Sequence, residues 1–69
     1  MTDPWDHIDL SGTLAEASRR VLAEVERRKI EQALRQAGGD PTKTSETLQI
    51  PHKTLLAKMR DLGIGSPGR

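Results

Sequence analysis

The side chains with chemistry to offer gather in the second half of the chain: Thr42 and Lys43, then His52, Lys53 and Thr54, then Lys58 and Arg60. Hydroxyl, ammonium, imidazole and guanidinium groups in this combination donate hydrogen bonds and carry positive charge. They suit phosphate oxygens and the acceptor edges of bases, and they lack the pairing needed to break bonds. No nucleophile stands with a base, no carboxylates are spaced as acid and base, and there is no glycine-rich phosphate loop. The two histidines, His7 and His52, stand apart, and there is no cysteine for a disulfide or a thiolate metal site. Neither an enzyme nor a cofactor or metal is expected.

These residues are positioned by the stretch from Gly38 to Ile64, GGDPTKTSETLQIPHKTLLAKMRDLGI. Gly38-Gly39 stops the preceding helix, because glycine enters the left-handed region without a Cβ clash. Asp40-Pro41 restarts one at once, an acidic N-cap followed by proline in the first turn. The spacing predicts a helix from Thr42 to about Leu48, a break at Gln49–Pro51, and a second helix from about His52 to Leu62, closed by Gly63. Leu55, Met59 and Leu62 give the second helix one apolar stripe, and Leu48 and Ile50 plug the angle between the two helices. Leu56 lies beside the stripe with no evident cover. Helix, short turn and helix is the spacing of a helix-turn-helix, whose second helix enters a DNA major groove N-terminal end first. That puts His52 and Lys53 foremost, with Leu56 able either to touch a thymine methyl or to pack at the core edge. Thr42 and Lys43, at the start of the first helix, can meet the DNA backbone. Lys58 and Arg60 suit the flanking backbone better than the bases.

The pattern GGD-x₁₀-P-x-KTL-x₂-KM-x₂-LGI, with the helix before it, resembles the Fis-type DNA-binding domain. That domain occurs alone and at the C-terminus of NtrC-type enhancer-binding response regulators of two-component systems. The resemblance covers roughly Leu14 to Ile64. It implies an all-α fold, one long N-terminal helix followed by a helix-turn-helix, acting as a dimer on double-stranded DNA in transcription regulation. It also implies base reading at His52, where the family carries arginine, and a phosphate contact at Thr54, whose hydroxyl could equally cap its helix. Three positions depart from the family. Thr44-Ser45 replaces an Ala-Ala pair, which implies looser packing or a buried hydroxyl. Gln49 replaces a turn glycine, at a cost of roughly 1 kcal/mol if the position keeps positive φ. Leu56-Ala57 replaces basic residues, making the groove face less cationic.

From Thr13 or Leu14 to Ala37 the helical signal is unbroken, rich in Ala, Leu, Glu, Arg, Lys and Gln without Gly or Pro. Glu16–Arg20, Glu24–Arg28 and Glu31–Arg35 are spaced as supporting i,i+4 pairs. At about 1.5 Å per residue this helix spans roughly 35 Å. Its apolar residues form two stripes: Leu14, Ala17, Val21 and Val25 on one face, Ile30, Ala33, Leu34 and Ala37 on another turned by roughly 150°. Two offset stripes imply two partners. The later stripe adjoins the helix-turn-helix and should pack on it. The earlier one needs a second copy of the chain, or an N-terminal arm folded back through Trp5, Ile8 and Leu10.

With 69 residues the chain holds one small domain, and a core of one tryptophan and no Phe or Tyr is thin enough to favour oligomerisation. The expected organisation is an arm or interdomain linker over 1–12, a DNA-binding and dimerisation domain over 13–64, and a flexible tail over 65–69. Further domains of a longer regulator are possible partners. Net charge is +1, with five basic and three acidic residues from Asp40 onward against six and seven before it. The positive end thus coincides with the proposed DNA end, as an electrostatic footprint should. No apolar run has signal-peptide or membrane length, so no membrane partner and a cytoplasmic location are expected. A module that keeps this fold for dimerisation or protein interaction, with little DNA affinity, is the competing function.

Overall fold

A computed structural model describes residues 8–65 and contains three helices: α1 (Leu14–Gln36), α2 (Pro41–Leu48) and α3 (His52–Leu62). Trp5 of the arm and Arg69 of the tail lie outside the described residues. Each helix falls within a residue of its expected bounds, because each is punctuated at both ends.

α1 opens on a capping box. The Thr13 hydroxyl accepts from the Glu16 amide at 3.1 Å, and the Glu16 carboxylate accepts from the Thr13 amide at 2.9 Å. Two amides that the helix geometry leaves without partners are thereby satisfied. α2 opens on Asp40, whose carboxylate accepts from the Thr42 amide at 2.9 Å, with Pro41 in the first turn. All three helices close with the same device. Gly39, Ile50 and Ile64 each donate a backbone hydrogen bond five residues back, to Leu34, Ser45 and Met59 respectively. The residue before each donor sits in the left-handed region: Gly38, Gln49 and Gly63. In α2 and α3 the donor is an isoleucine that packs on the core, which couples helix termination to burial.

The core joins Ile30 and Leu34 of α1 to Leu55 and Met59 of α3, with Leu48, Ile50, Leu62 and Ile64 around them. Leu55 is fully buried at the centre. α2 contributes Thr44 and Ser45 to the buried side instead of alanines. Their hydroxyls turn back to the carbonyls of Asp40 and Thr42, at 2.8 Å each, so the buried oxygens cost no unmade hydrogen bond.

The later stripe of α1 is consumed in this packing, with Ile30, Ala33 and Leu34 all buried. The earlier stripe is not. Leu14 is 85% exposed and Val25 56%, while Ala17 and Val21 are half-buried. Leu22, at 57%, widens the open face beyond the four residues expected.

Of the three expected i,i+4 pairs on α1, Glu24–Arg28 forms, at 2.5 Å. The other two give way to competitors. Glu16 is held by the capping box, and Arg20 donates to the carbonyls of Asp9 and Ser11 at 2.6 and 3.0 Å. Glu31 pairs with Arg27, which also grips Glu24. Hydrogen bonds from Arg27, then from Arg28, hold the Glu24 carboxyl below its usual range.

Gln49 carries a φ of 58°, and it is the one non-glycine residue with positive φ among those described. Its side chain is exposed, so nothing in the packing depends on it. Gln49→Gly should therefore raise stability by roughly 0.5–1 kcal/mol, as relief of the Cβ clash outweighs the added freedom of the unfolded chain. A higher urea midpoint at unchanged slope is the expected reading.

Candidate nucleic-acid interface

α3 is held by its Leu55–Met59 side, which turns the opposite side outward. His52 is its first residue, and His52, Lys53, Leu56 and Arg60 are all exposed. Their spacing of one, three and four residues places them along one side of the helix. Leu56 is 45% exposed, a branched apolar side chain within an otherwise polar face. Thr54 is half-buried beside the core face.

The N-terminus of α3 has a feature that its sequence only half disclosed. Pro51 precedes the helix and no side chain caps it. The Thr54 hydroxyl, one of two expected roles for that residue, does not serve as a cap. The first-turn amides of α3 are left to solvent or to a ligand, next to His52 and Lys53. Partial positive charge from the helix dipole adds to that of Lys53 at this end.

α2 differs. Thr42 and Lys43 are exposed in its first turn as expected, but the Thr42 amide is already taken by the Asp40 carboxylate. The expectation that α2 offers helix amides to a phosphate is reduced to the Lys43 amide, with the Thr42 hydroxyl and the Lys43 ammonium beside it. An acidic cap also places a negative charge close to where a phosphate would sit.

Lys58 is placed differently from expectation. Its ammonium lies 3.2 Å from both carboxylate oxygens of Glu26 on α1, and both side chains are about one-third exposed. The pair ties the flank of α3 to α1 and takes Lys58 out of the free cations. No local rule could have paired residues so far apart in sequence. Arg60 remains open, 79% exposed at its side chain, with Asp61 3.7 Å away. Lys43, Lys53 and Arg60 are thus the exposed cations on the helix-turn-helix.

A separate apolar trough runs along α1. A groove of about 430 Å³ is lined by Leu10, Leu14, Ala17, Val21, Leu22 and Val25, with Ser18 at its edge. Leu10 and Leu22 join the four stripe residues here. Leu22 was legible in the sequence through its three-residue spacing to Val25. Ile8 lies elsewhere, beside Asp9, Arg20 and Glu24. Hydrogen bonds from Ser11, with the Arg20 guanidinium nearby, keep the Asp9 carboxyl below its ordinary value.

Among the described residues no group of three or more His, Asp or Glu side chains is placed to hold a metal ion. No described helix is long and apolar enough to cross a membrane. No curated protein and no solved structure gives a match to the chain. The family model described as bacterial regulatory protein, Fis family, matches residues 21–62, more than half of the chain. That span holds α1 from Val21 onward, all of α2 and all of α3. The chain belongs to the Fis family of bacterial regulatory proteins, DNA-binding regulators built on a helix-turn-helix.

Proposed function

We propose that this chain is a dimeric, sequence-specific binder of double-stranded DNA, the output domain of an NtrC-type transcriptional activator acting in the cytoplasm. The observation that carries the reading is the open, uncapped N-terminus of α3, where His52 and Lys53 stand exposed on a helix anchored from behind by Leu55 and Met59. His52 reads a base edge, Lys53 supplies charge to a guanine or the backbone, and Leu56 meets a thymine methyl. Thr42, Lys43, Thr54 and Arg60 contact the backbone, and Lys58 joins them only by leaving Glu26. The NtrC assignment rests on the sequence pattern, and the other domains of such a regulator would lie outside this sequence.

Dimerisation is proposed through Leu14, Ala17, Val21 and Val25, the apolar face that the described residues leave open. A two-fold axis near residue 20 makes the paired α1 helices antiparallel. Each helix-turn-helix then sits about 12 residues from the axis, so the two are separated by about 36 Å along the helices. That matches the roughly 34–36 Å between successive major-groove half-sites. Parallel helices would give the two modules no separation along the helices.

The competing reading, a dimerisation or protein-interaction module with little DNA affinity, draws on the near-neutral charge, on Leu56-Ala57 and on the capture of Lys58 by Glu26. Binding to duplex DNA separates the two, since a pure dimerisation module shows no site preference at any salt concentration.

Three variants test the parts. His52→Ala should cost about 1–3 kcal/mol on the best site and much less on random DNA, measured at one salt concentration, with little change in thermal midpoint. An equal loss on both DNAs would make His52 a backbone contact. Lys43→Ala should flatten the log–log salt dependence of binding by about one unit, as roughly one counterion fewer is released. An unchanged slope would turn Lys43 to solvent. Val21→Asp buries a charge in the seam at a cost of several kcal/mol, so sedimentation should show a monomer where the parent is a dimer.

A further inference from the structure

The apolar trough on α1 does not stop at Val25. That residue also lines a second groove, of about 210 Å³, whose other apolar walls are Ile30, Leu48 and Ile50. Lys29 and the Glu26–Lys58 pair form its rim. This groove opens directly onto the turn between α2 and α3, where Leu48 and Ile50 are only partly covered by their own chain. The molecule therefore presents a continuous apolar path from the start of α1 to the turn of the helix-turn-helix. At the start of that path stands Leu14, the most exposed large apolar side chain among those described.

We propose that in the dimer each protomer's Leu14 seats in the partner copy's groove between Val25, Ile30, Leu48 and Ile50, so that the second chain completes the core of the helix-turn-helix. The inference rests on the dimer reading above and goes beyond it. In an antiparallel pair with its axis near residue 20, position 14 falls opposite about position 26 of the partner copy, at the mouth of this groove. One apolar side chain that the described residues leave uncovered meets an apolar recess that they leave unfilled.

Charge agrees with this register. Beyond Val25 the open face of α1 carries a basic excess, with Arg28, Lys29 and Arg35 against Glu31 around Gln32. The residues preceding Leu14 include Asp3, Asp6 and Asp9 and no Lys or Arg. Antiparallel pairing brings the Asp9 end of one copy toward the other copy's Arg28 and Lys29, whereas parallel pairing sets like ends together. The functional result is that the DNA-reading unit is finished only in the dimer. Loss of the second copy costs more than the second half-site, because Leu48 and Ile50 become open to water.

Cysteine trapping in the full chain tests this cleanly, since the chain has no cysteine of its own. Leu14→Cys is combined with Lys29→Cys, at the groove rim, or with Arg28→Cys, which lines the basic side but not the groove. Positions 14 and 29 of one copy are about 22 Å apart along α1, far beyond disulfide reach, so any bond between them joins two chains. Mild oxidation should convert the L14C/K29C variant to covalent dimer roughly tenfold faster than L14C/R28C. Equal rates, or faster linkage at position 28, overturn the proposal while the dimer stands. Sedimentation of the unaltered chain as a monomer at high micromolar concentration overturns both.

Discussion

The structure depends on a rotation within one helix. The apolar residues of α1 change face midway, so its second half can serve the helix-turn-helix while its first half cannot. A helix with one stripe would lie along a single partner and be satisfied. Here Ile30, Ala33 and Leu34 fix α3 through Leu55 and Met59, and the stripe from Leu14 to Val25 is left facing outward. The small core and the outward-facing N-terminus of α3 both follow from this division of labour.

Much of the fold was legible because the chain marks its boundaries chemically. Asp40 with Pro41, Gly38-Gly39 and Gly63 each act locally, and local chemistry can be read along a sequence. Gln49 was legible by analogy, as a side chain standing where the backbone must turn left-handed. Less legible were the choices made among competing partners. Glu16 had an arginine at the right spacing and bonded to the backbone of Thr13 instead, because an unpaired amide was nearer. Arg27 bridged two carboxylates that counting at intervals of four assigns elsewhere. The Lys58–Glu26 pair joins α3 to α1, a contact that exists only once the core has set the two helices side by side.

That last pair shapes how the DNA face is read. Sequence alone counts Lys58 among the cations available to phosphate, and the folded chain places it on a carboxylate. The Asp40 cap likewise takes the Thr42 amide and leaves only that of Lys43 open in the first turn of α2. Both contacts lower the positive potential of the module and leave the task to few groups: Lys43, Lys53, Arg60 and the free amides of α3. A surface with so little excess charge gains little from nonspecific attraction to the DNA backbone, so in the proposed complex discrimination rests more heavily on the fit of His52 and Leu56.

The core described here is assembled from leucine, isoleucine, alanine and one methionine, with no aromatic ring among its members. The chain's single tryptophan, Trp5, is separate from it in sequence, and there is no tyrosine. The core members among the described residues are therefore silent to near-ultraviolet absorbance and to intrinsic emission. Any change in tryptophan emission reports on the surroundings of Trp5, even in a chain whose three helices have stayed intact.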